Sequence, residues 1–368
     1  MTTRRSGVTL VEVLVAIFVM GIGLIALLTL FPIGILRMAQ AIREARSTQC
    51  GNNGARIAVI QSLHLDADVV TDGTFPDLFV NPGIVDVNGA PIWNADPYSE
   101  SYPIFVDPVG FYAVPTPDWV GNYPALLRRR PAEFTRRGLN LAVPADFAAM
   151  QRNIRRSFML QDEFNFEPTM DDPNVPPGTP QKIGNVVLRG ERNFSWAYML
   201  RRPRAGDPSI VDRAVVVFEN RPIALTQNQT LQEYVYPGMA FFNDTNNTIT
   251  VEYTSPTVVA PPVRPGDWIL DATRYQTSPT NGSGSAFFYK VVGAEDYVVA
   301  QAAPNPPRRF VRFEVANPIR GLYRRYPDVP NYPAVVDPLG SGATVYQGTM
   351  IFMEGVVAVF ERGPARTP

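Results

Sequence analysis

The sequence predicts an α+β chain, one long N-terminal helix followed by a predominantly antiparallel β-sheet domain. Residues Val13 to Leu36 contain no charged side chain, and 35 of the 36 prolines lie beyond Leu65. The third observation is a series of short segments rich in β-branched and aromatic residues in the second half of the chain, the composition of strands joined by turn-rich links.

The N-terminal helix is the first element. The 24 residues from Val13 to Leu36, at 1.5 Å rise each, span roughly 36 Å, enough to cross a hydrocarbon core of about 30 Å with some tilt. A short basic stretch, MTTRRSG with Arg4 and Arg5, precedes the run, and Arg37, Arg43 and Arg46 follow it, partly offset by Glu44. Positive charge on both flanks leaves the orientation open. Past the run, Ile35, Met38, Ala39, Ile42 and Ala45, then Ile57, Ile60 and Leu63, fall at helical spacing and predict an amphipathic continuation. The GNNG at 51–54 predicts a kink or short break, because glycine is a poor helix interior.

The strands come next. VVLRGE (186–191), FSWAYML (194–200), RAVVVFE (213–219), TITVEY (248–253), DWILDAT (267–273), AFFYKVV (286–292), RFVRFEV (309–315) and the final TMIFMEGVVAVFER (349–362) read as β segments. One further helix is predicted at 145–160, where Phe147, Met150, Ile154 and Phe158 share a face. Proline-rich links at 107–119, 167–180 and 255–267 read as rigid surface loops.

Composition excludes several classes of chemistry. Cys50 and His64 are the only residues of their kinds, so no intrachain disulfide forms and zinc sites of several Cys or His ligands are absent. Any triad would have to use His64, which reads as a solvated or capping histidine behind the helix, while Cys50 reads as a small packing residue. No GxSxG, HExxH, Walker A or GxGxxG pattern occurs. The expectation is a non-enzyme with no cofactor, no metal and no catalytic residue. The net charge of -1 gives no global pull toward nucleic acid.

The remaining puzzle is Glu12, one carboxylate in an otherwise apolar run. The stretch Gly7-Val8-Thr9-Leu10-Val11-Glu12-Val13-Leu14-Val15-Ala16 resembles the processing motif of type IV prepilins and type II secretion pseudopilins, and the IFVMGIGLIALL after it is similar to their minor-pilin branch. The resemblance covers about the first 40 residues. It implies that a prepilin peptidase cuts between Gly7 and Val8 and methylates the new N-terminus, and that Glu12 serves filament assembly. Val8 stands where the family usually has Phe, and Pro32 lies a few residues later than its usual kink. The chemistry of the residues agrees. Cutting after Gly7 creates an α-amine at Val8, and Glu12 stands at i+4 from it on the same helix face. A carboxylate in the membrane costs about 2.5–3.5 kcal/mol on insertion scales, and the amine of a neighbouring subunit neutralises it.

These readings divide the chain into a leader (1–7), a transmembrane helix (8–36), its amphipathic continuation (37–64) and a β-rich extracytoplasmic domain (65–368). The expected function is a pilin-like structural subunit of a type IV pilus or type II secretion pseudopilus. The length of the chain suggests a minor subunit, single-pass in the cytoplasmic membrane, with prepilin peptidase, other pilin subunits and membrane lipid as partners. The rival is a membrane-anchored binding protein, for DNA or a surface glycan, that uses the signal only for export. Two clusters bear on ligand binding. Eight arginines at 128, 129, 130, 136, 137, 152, 155 and 156, against Glu133 and Asp146, read as a solvated or acid-paired face rather than a nucleic-acid surface. The acidic run Asp66, Asp68, Asp72 resembles half a calcium loop but lacks its regular spacing and final glutamate.

Overall fold

A single helix, α1 (Leu10–Ile60), carries the chain through its first 51 described residues, with Pro32 inside it. The computed structural model describes residues 10–71, 75–81, 94–110, 128–160, 181–183, 186–188, 194–221, 233–243, 247–254, 259–276, 281–301, 307–319, 334–339 and 344–366. Two compact units emerge, Met1–Gln49 and Cys50–Pro368. The described part of the first is helical throughout. The second takes in the end of α1 from Cys50, ahead of the composition change near Leu65.

The predicted break at GNNG does not occur, because the glycines are used for close approach. A Cβ on Gly51 would lie 2.4 Å from Cδ2 of Phe360, and one on Gly54 would lie 2.9 Å from Cγ1 of Val215 and 3.0 Å from Cδ1 of Trp196. Each glycine costs the helix about 1 kcal/mol relative to alanine, and the packing it permits offsets that cost. Beyond α1 come α2 (Ala67–Val70) and α3 (Pro144–Phe158), the second matching the helix expected at 145–160.

The strands run, in chain order, β1 (Asn94–Ala95), β2 (Ile104–Val106), β3 (Arg128–Arg130), β4 (Gln181–Ile183), β5 (Val186–Leu188), β6 (Phe194–Arg201) and β7 (Ile210–Glu219). Then come β8 (Glu233–Asn243), β9 (Thr248–Glu252), β10 (Trp268–Asp271), β11 (Arg274–Gln276), β12 (Asn281–Gly284) and β13 (Phe287–Val299). Last are β14 (Arg308–Val315), β15 (Ala334–Val336), β16 (Thr344–Met353) and β17 (Val356–Arg366). Pairing is antiparallel as expected, apart from the parallel pairs β1–β12 and β2–β3. The proline-rich links expected as loops lie in whole or in part outside the described residues.

Two sheets dominate. One has five strands in the order β17-β7-β6-β2-β3. The other runs β10-β13-β14-β9-β8-β16-β15, and β10 also pairs with β16 through Leu270↔Ile351 and Asp271↔Met350. That extra pairing closes its strands other than β15 into a barrel, which removes free edges. Tyr236, Phe242, Ile249, Tyr289, Phe313 and Phe352 belong to the core cluster of this barrel.

Strand β6 explains the layering of the second unit. Trp196, Tyr198 and Leu200 join a core with Cys50, Ala58 and Leu63 from the helical side, whereas Ala197 and Met199 join one with Leu270, Phe288 and Ile351 from the barrel. Helices thus cover one face of the five-stranded sheet and the barrel covers the other. A strand covered on both faces reads as a continuous apolar run instead of an alternating one.

Two strand expectations change. The final run TMIFMEGVVAVFER is two strands in two sheets, β16 in the barrel and β17 at the edge of the five-stranded sheet. The turn between them holds Gly355 at φ 83°, where a Cβ would meet the Glu219 carbonyl oxygen at 2.5 Å. Strand β8 was not anticipated, since Pro237 and Gly238 lie inside it. The register shows why they are tolerated: Tyr236 faces Met350 and Ala240 faces Gly348, so the proline and the glycine fall in a bulge, with Gly238 at φ 62°.

Candidate processing and assembly site

The first unit places one predicted residue in view. Glu12 lies in the first turn of α1 and is solvent-exposed. A carboxylate there is favoured by the positive end of the helix dipole. Gly7 and Val8, the predicted cleavage pair, lie outside the described residues. Downstream of Glu12, Leu14, Ile17, Phe18, Leu24 and Leu28 are each more than half exposed. Among the described residues no helix is long and apolar enough to cross a membrane. The uncharged run also contains residues 26, 27, 29 and 30, whose side chains lie outside the described set.

Glycines within α1 fall into two groups. Cβ atoms on Gly51 and Gly54 would collide with the second unit's own side chains, whereas at Gly21, Gly23 and Gly34 they would meet nothing within 4 Å. The first group is explained by packing inside the chain. The second has no such explanation.

Residues 2–28 match the family described as the prokaryotic N-terminal methylation motif. The chain carries a prepilin-type N-terminal methylation motif. The match includes Gly7, Val8 and Glu12 and covers the start of the apolar run. A prepilin N-terminus implies processing by a prepilin peptidase and assembly with other pilins. Comparison with curated proteins and with solved structures returns no match.

Three of the eight arginines in the cluster, Arg129, Arg136 and Arg137, pair with acids, and Arg130 donates to the backbone carbonyls of Asp68 and Thr71. Arg129 Nε lies 2.8 Å from Asp107 Oδ2, Arg129 also pairs with Glu233, Arg136 with Asp68 and Arg137 with Glu133. Asp107, Arg129, Glu233 and Arg221 form one buried network, with Arg221 Nη1 donating to Asp107 at 2.8 Å. It joins the ends of β2 and β7 to the first residue of β8, and so ties the five-stranded sheet to the barrel. Burial alone would raise the Asp107 carboxyl, but the guanidinium groups of Arg221 and Arg129 hold it below the usual carboxylate range.

The calcium-like run has other duties. The Asp66 carboxylate accepts from the backbone N–H of Asp68 at 3.0 Å and of Glu133 at 2.9 Å, while Asp68 takes Arg136. Asp72 lies outside the described residues. Among the described residues no cluster of His, Cys, Asp and Glu is arranged to hold a metal ion. His64 corrects its expectation. Far from solvated, it is only 5% exposed in the turn Leu63–Leu65, because that turn folds back over the five-stranded sheet. Cys50 is fully buried, and burial pushes its thiol up to about 12, which keeps it an unreactive packing residue.

Sequence reasoning missed the Asp107–Arg221 network. Its members are distant in sequence, and no local pattern pairs them. The one local sign was the excess of arginine at 128–130, which needed acidic partners from elsewhere.

Proposed function

We propose that this chain is a minor, non-catalytic structural subunit of a type IV pilus or type II secretion pseudopilus. In this reading it is made as a prepilin, cut between Gly7 and Val8, and held in the cytoplasmic membrane by α1, with the β-rich unit outside the cytoplasm. The observation that carries the reading is the methylation-motif match at 2–28 with Glu12 in the first turn of an exposed apolar helix. The glycines of that helix support it. A Cβ on Gly21, Gly23 or Gly34 would meet nothing within 4 Å among the described residues, and small residues on an apolar helix let neighbouring helices approach closely. Assembly is driven by burying the apolar helix among its neighbours, and register is set by pairing Glu12 of one subunit with the Val8 amine of the next.

The test has two parts. Intact-mass spectrometry of the mature protein is expected to place its N-terminus at Val8. A start between Gln40 and Ile42, or an uncut Met1, would overturn the processing step. Glu12→Ala and Glu12→Gln are expected to reach the membrane and be cut as the wild type is, yet fail to co-purify with sheared filaments or partner pilins. Equal incorporation of all three proteins would leave export as the motif's only role and favour a membrane-anchored binding protein.

A further inference from the structure

The barrel closes through its shortest pairing. Strand β10 meets β16 at Leu270↔Ile351 and Asp271↔Met350, extended by the Ala272 N–H, which donates to the Thr349 carbonyl oxygen at 3.0 Å. By contrast, β14 and β9 pair continuously from Phe310↔Glu252 to Glu314↔Thr248. At the end of the seam stands Asp271, only 3% exposed. Its register partners Phe287 and Met350 both belong to the barrel core, so the carboxyl is turned toward the barrel interior.

Hydrogen bonds tie that carboxyl to the seam. It accepts from the Thr273 N–H at 2.9 Å and from the hydroxyls of Thr273 and Ser285. The Thr273 hydroxyl oxygen in turn accepts from the Thr349 N–H of β16 at 3.0 Å, and a Cβ on Gly348 would collide with it. Asp271 thus orients the hydroxyl that receives β16. The titratable side chains of the same core, among the described residues, are phenols: Tyr234 and Tyr236 of β8, Tyr289 of β13, Tyr346 of β16 and Tyr253 after β9. On β13, Lys290 is exposed, and Arg201 of β6 lies over the Phe287 ring at 4.1 Å and 3.7 Å from Asp212. Burial is the largest influence on the carboxyl and disfavours its anion, while the Thr273 and Ser285 donors oppose burial only in part.

We propose that Asp271 is a latch on the barrel: with its carboxyl protonated the β10–β16 seam stays shut, and with the carboxyl ionised the seam opens locally and lets water reach the charge. A buried anion is relieved by whichever opening breaks the fewest bonds, and this seam is the shortest in the barrel. The sign follows from the burial. The anion is easier to hold in the opened seam than in the closed one, so the opened population rises as the pH climbs through the buried group's raised value and levels off above it. An opened seam presents the edges of β10 and β16, the kind of edge that takes an added strand.

Hydrogen exchange of the full-length protein in detergent micelles tests the latch. Mass spectrometry reads the peptides that hold Ala272 and Thr349, with the peptide that holds Phe313 of β14 as reference, each rate corrected for that of an unstructured chain at the same pH. The seam peptides are expected to be less protected than the reference at pH 7.5, and their protection to fall about tenfold between pH 5 and pH 7.5. Asp271→Asn, which keeps the shape but cannot ionise, is expected to remove the fall. Ser285→Ala, which takes away a hydroxyl that favours the anion, is expected to carry the fall to higher pH. Seam peptides as well protected as Phe313 at pH 7.5 would show that no local opening occurs and overturn the latch. Protection that stays constant with pH in the wild type, or that falls equally in Asp271→Asn, overturns it too. Should Asp271→Asn fail to fold by circular dichroism, the Ser285→Ala profile decides, and a midpoint equal to the wild type's counts against the latch.

Discussion

The hydroxyl of Tyr198 donates a 2.8 Å hydrogen bond to the carbonyl oxygen of Gly54. Tyr198 in turn accepts from Trp196 Nε1 at 3.0 Å, so two aromatic residues of β6 reach the backbone of α1 where the helix lacks a side chain. Burial raises the Tyr198 phenol above its ordinary range, which keeps it protonated and a donor.

That seat is sensitive to one methyl group. Gly54→Ala places a Cβ against Val215 and Trp196, neither of which has room to withdraw. Overpacking of this kind costs about 1–3 kcal/mol, against roughly 1 kcal/mol gained from helix propensity. The expected outcome is a lower midpoint in chemical denaturation of the second unit, followed by tryptophan fluorescence. Gly21→Ala, which meets nothing within 4 Å, is expected to leave that midpoint unchanged.

Asp107 is the acid that pairs with two buried guanidinium groups, Arg129 and Arg221, which both also approach Glu233. Removing one member of a buried ion network costs about 3–5 kcal/mol, so Asp107→Ala is expected to unfold at markedly lower urea. Arg137→Ala, which breaks a mostly exposed pair with Glu133, is expected to change stability by less than about 1 kcal/mol. Comparable losses for both would show that the buried network does not join the two sheets energetically.

Asp271 supplies a pH dependence. Burial raises its carboxyl to about 6, against the N–H and hydroxyl of Thr273 and the hydroxyl of Ser285, which favour the anion. Because the folded value lies above the ordinary 3.8, ionisation is harder in the folded state. Stability from this group is full below pH 4, declines as the pH rises toward 6, and stays low above it. Asp271→Asn is therefore expected to gain about 2–3 kcal/mol relative to wild type on going from pH 4 to pH 7. Thermal melts at the two pH values check it, and a variant-to-wild-type difference that does not move with pH refutes it.

Metal removal is expected to do nothing to the second unit. Asp66 and Asp68 are committed to backbone N–H groups and to Arg136, so EDTA should leave the melting temperature of the purified protein where it was. A drop of several degrees that calcium restores would reassign that acidic run.

How much was legible in the sequence depended on whether the deciding contacts were local. The apolar helix, the Gly7–Glu12 motif and β6, β7, β9 and β14 declared themselves through periodicity and composition. What stayed hidden was decided at long range. GNNG looked like a helix break until the opposing Phe360 and Trp196 were known. His64 looked solvated because a polar residue after a helix usually is, and only the sheet beneath it shows that it is buried. β8 was concealed by a proline that a bulge accommodates. Closure of the barrel between β10 and β16 rests on pairs such as Leu270↔Ile351, a separation that no local pattern encodes.

Gly51 and Phe360 touch across 309 positions of sequence, taking 360 less 51. During synthesis the start of α1 leaves the ribosome long before β17, and the seat for the end of the same helix is finished only when that strand pairs with β7. Contacts this distant form late and slowly. A chain released before residue 360 would carry an intact N-terminal motif on a body whose helix seat lacks the Phe360 that faces Gly51. The order of synthesis thus separates the appearance of the N-terminal motif from the completion of the second unit, which waits for its last strand.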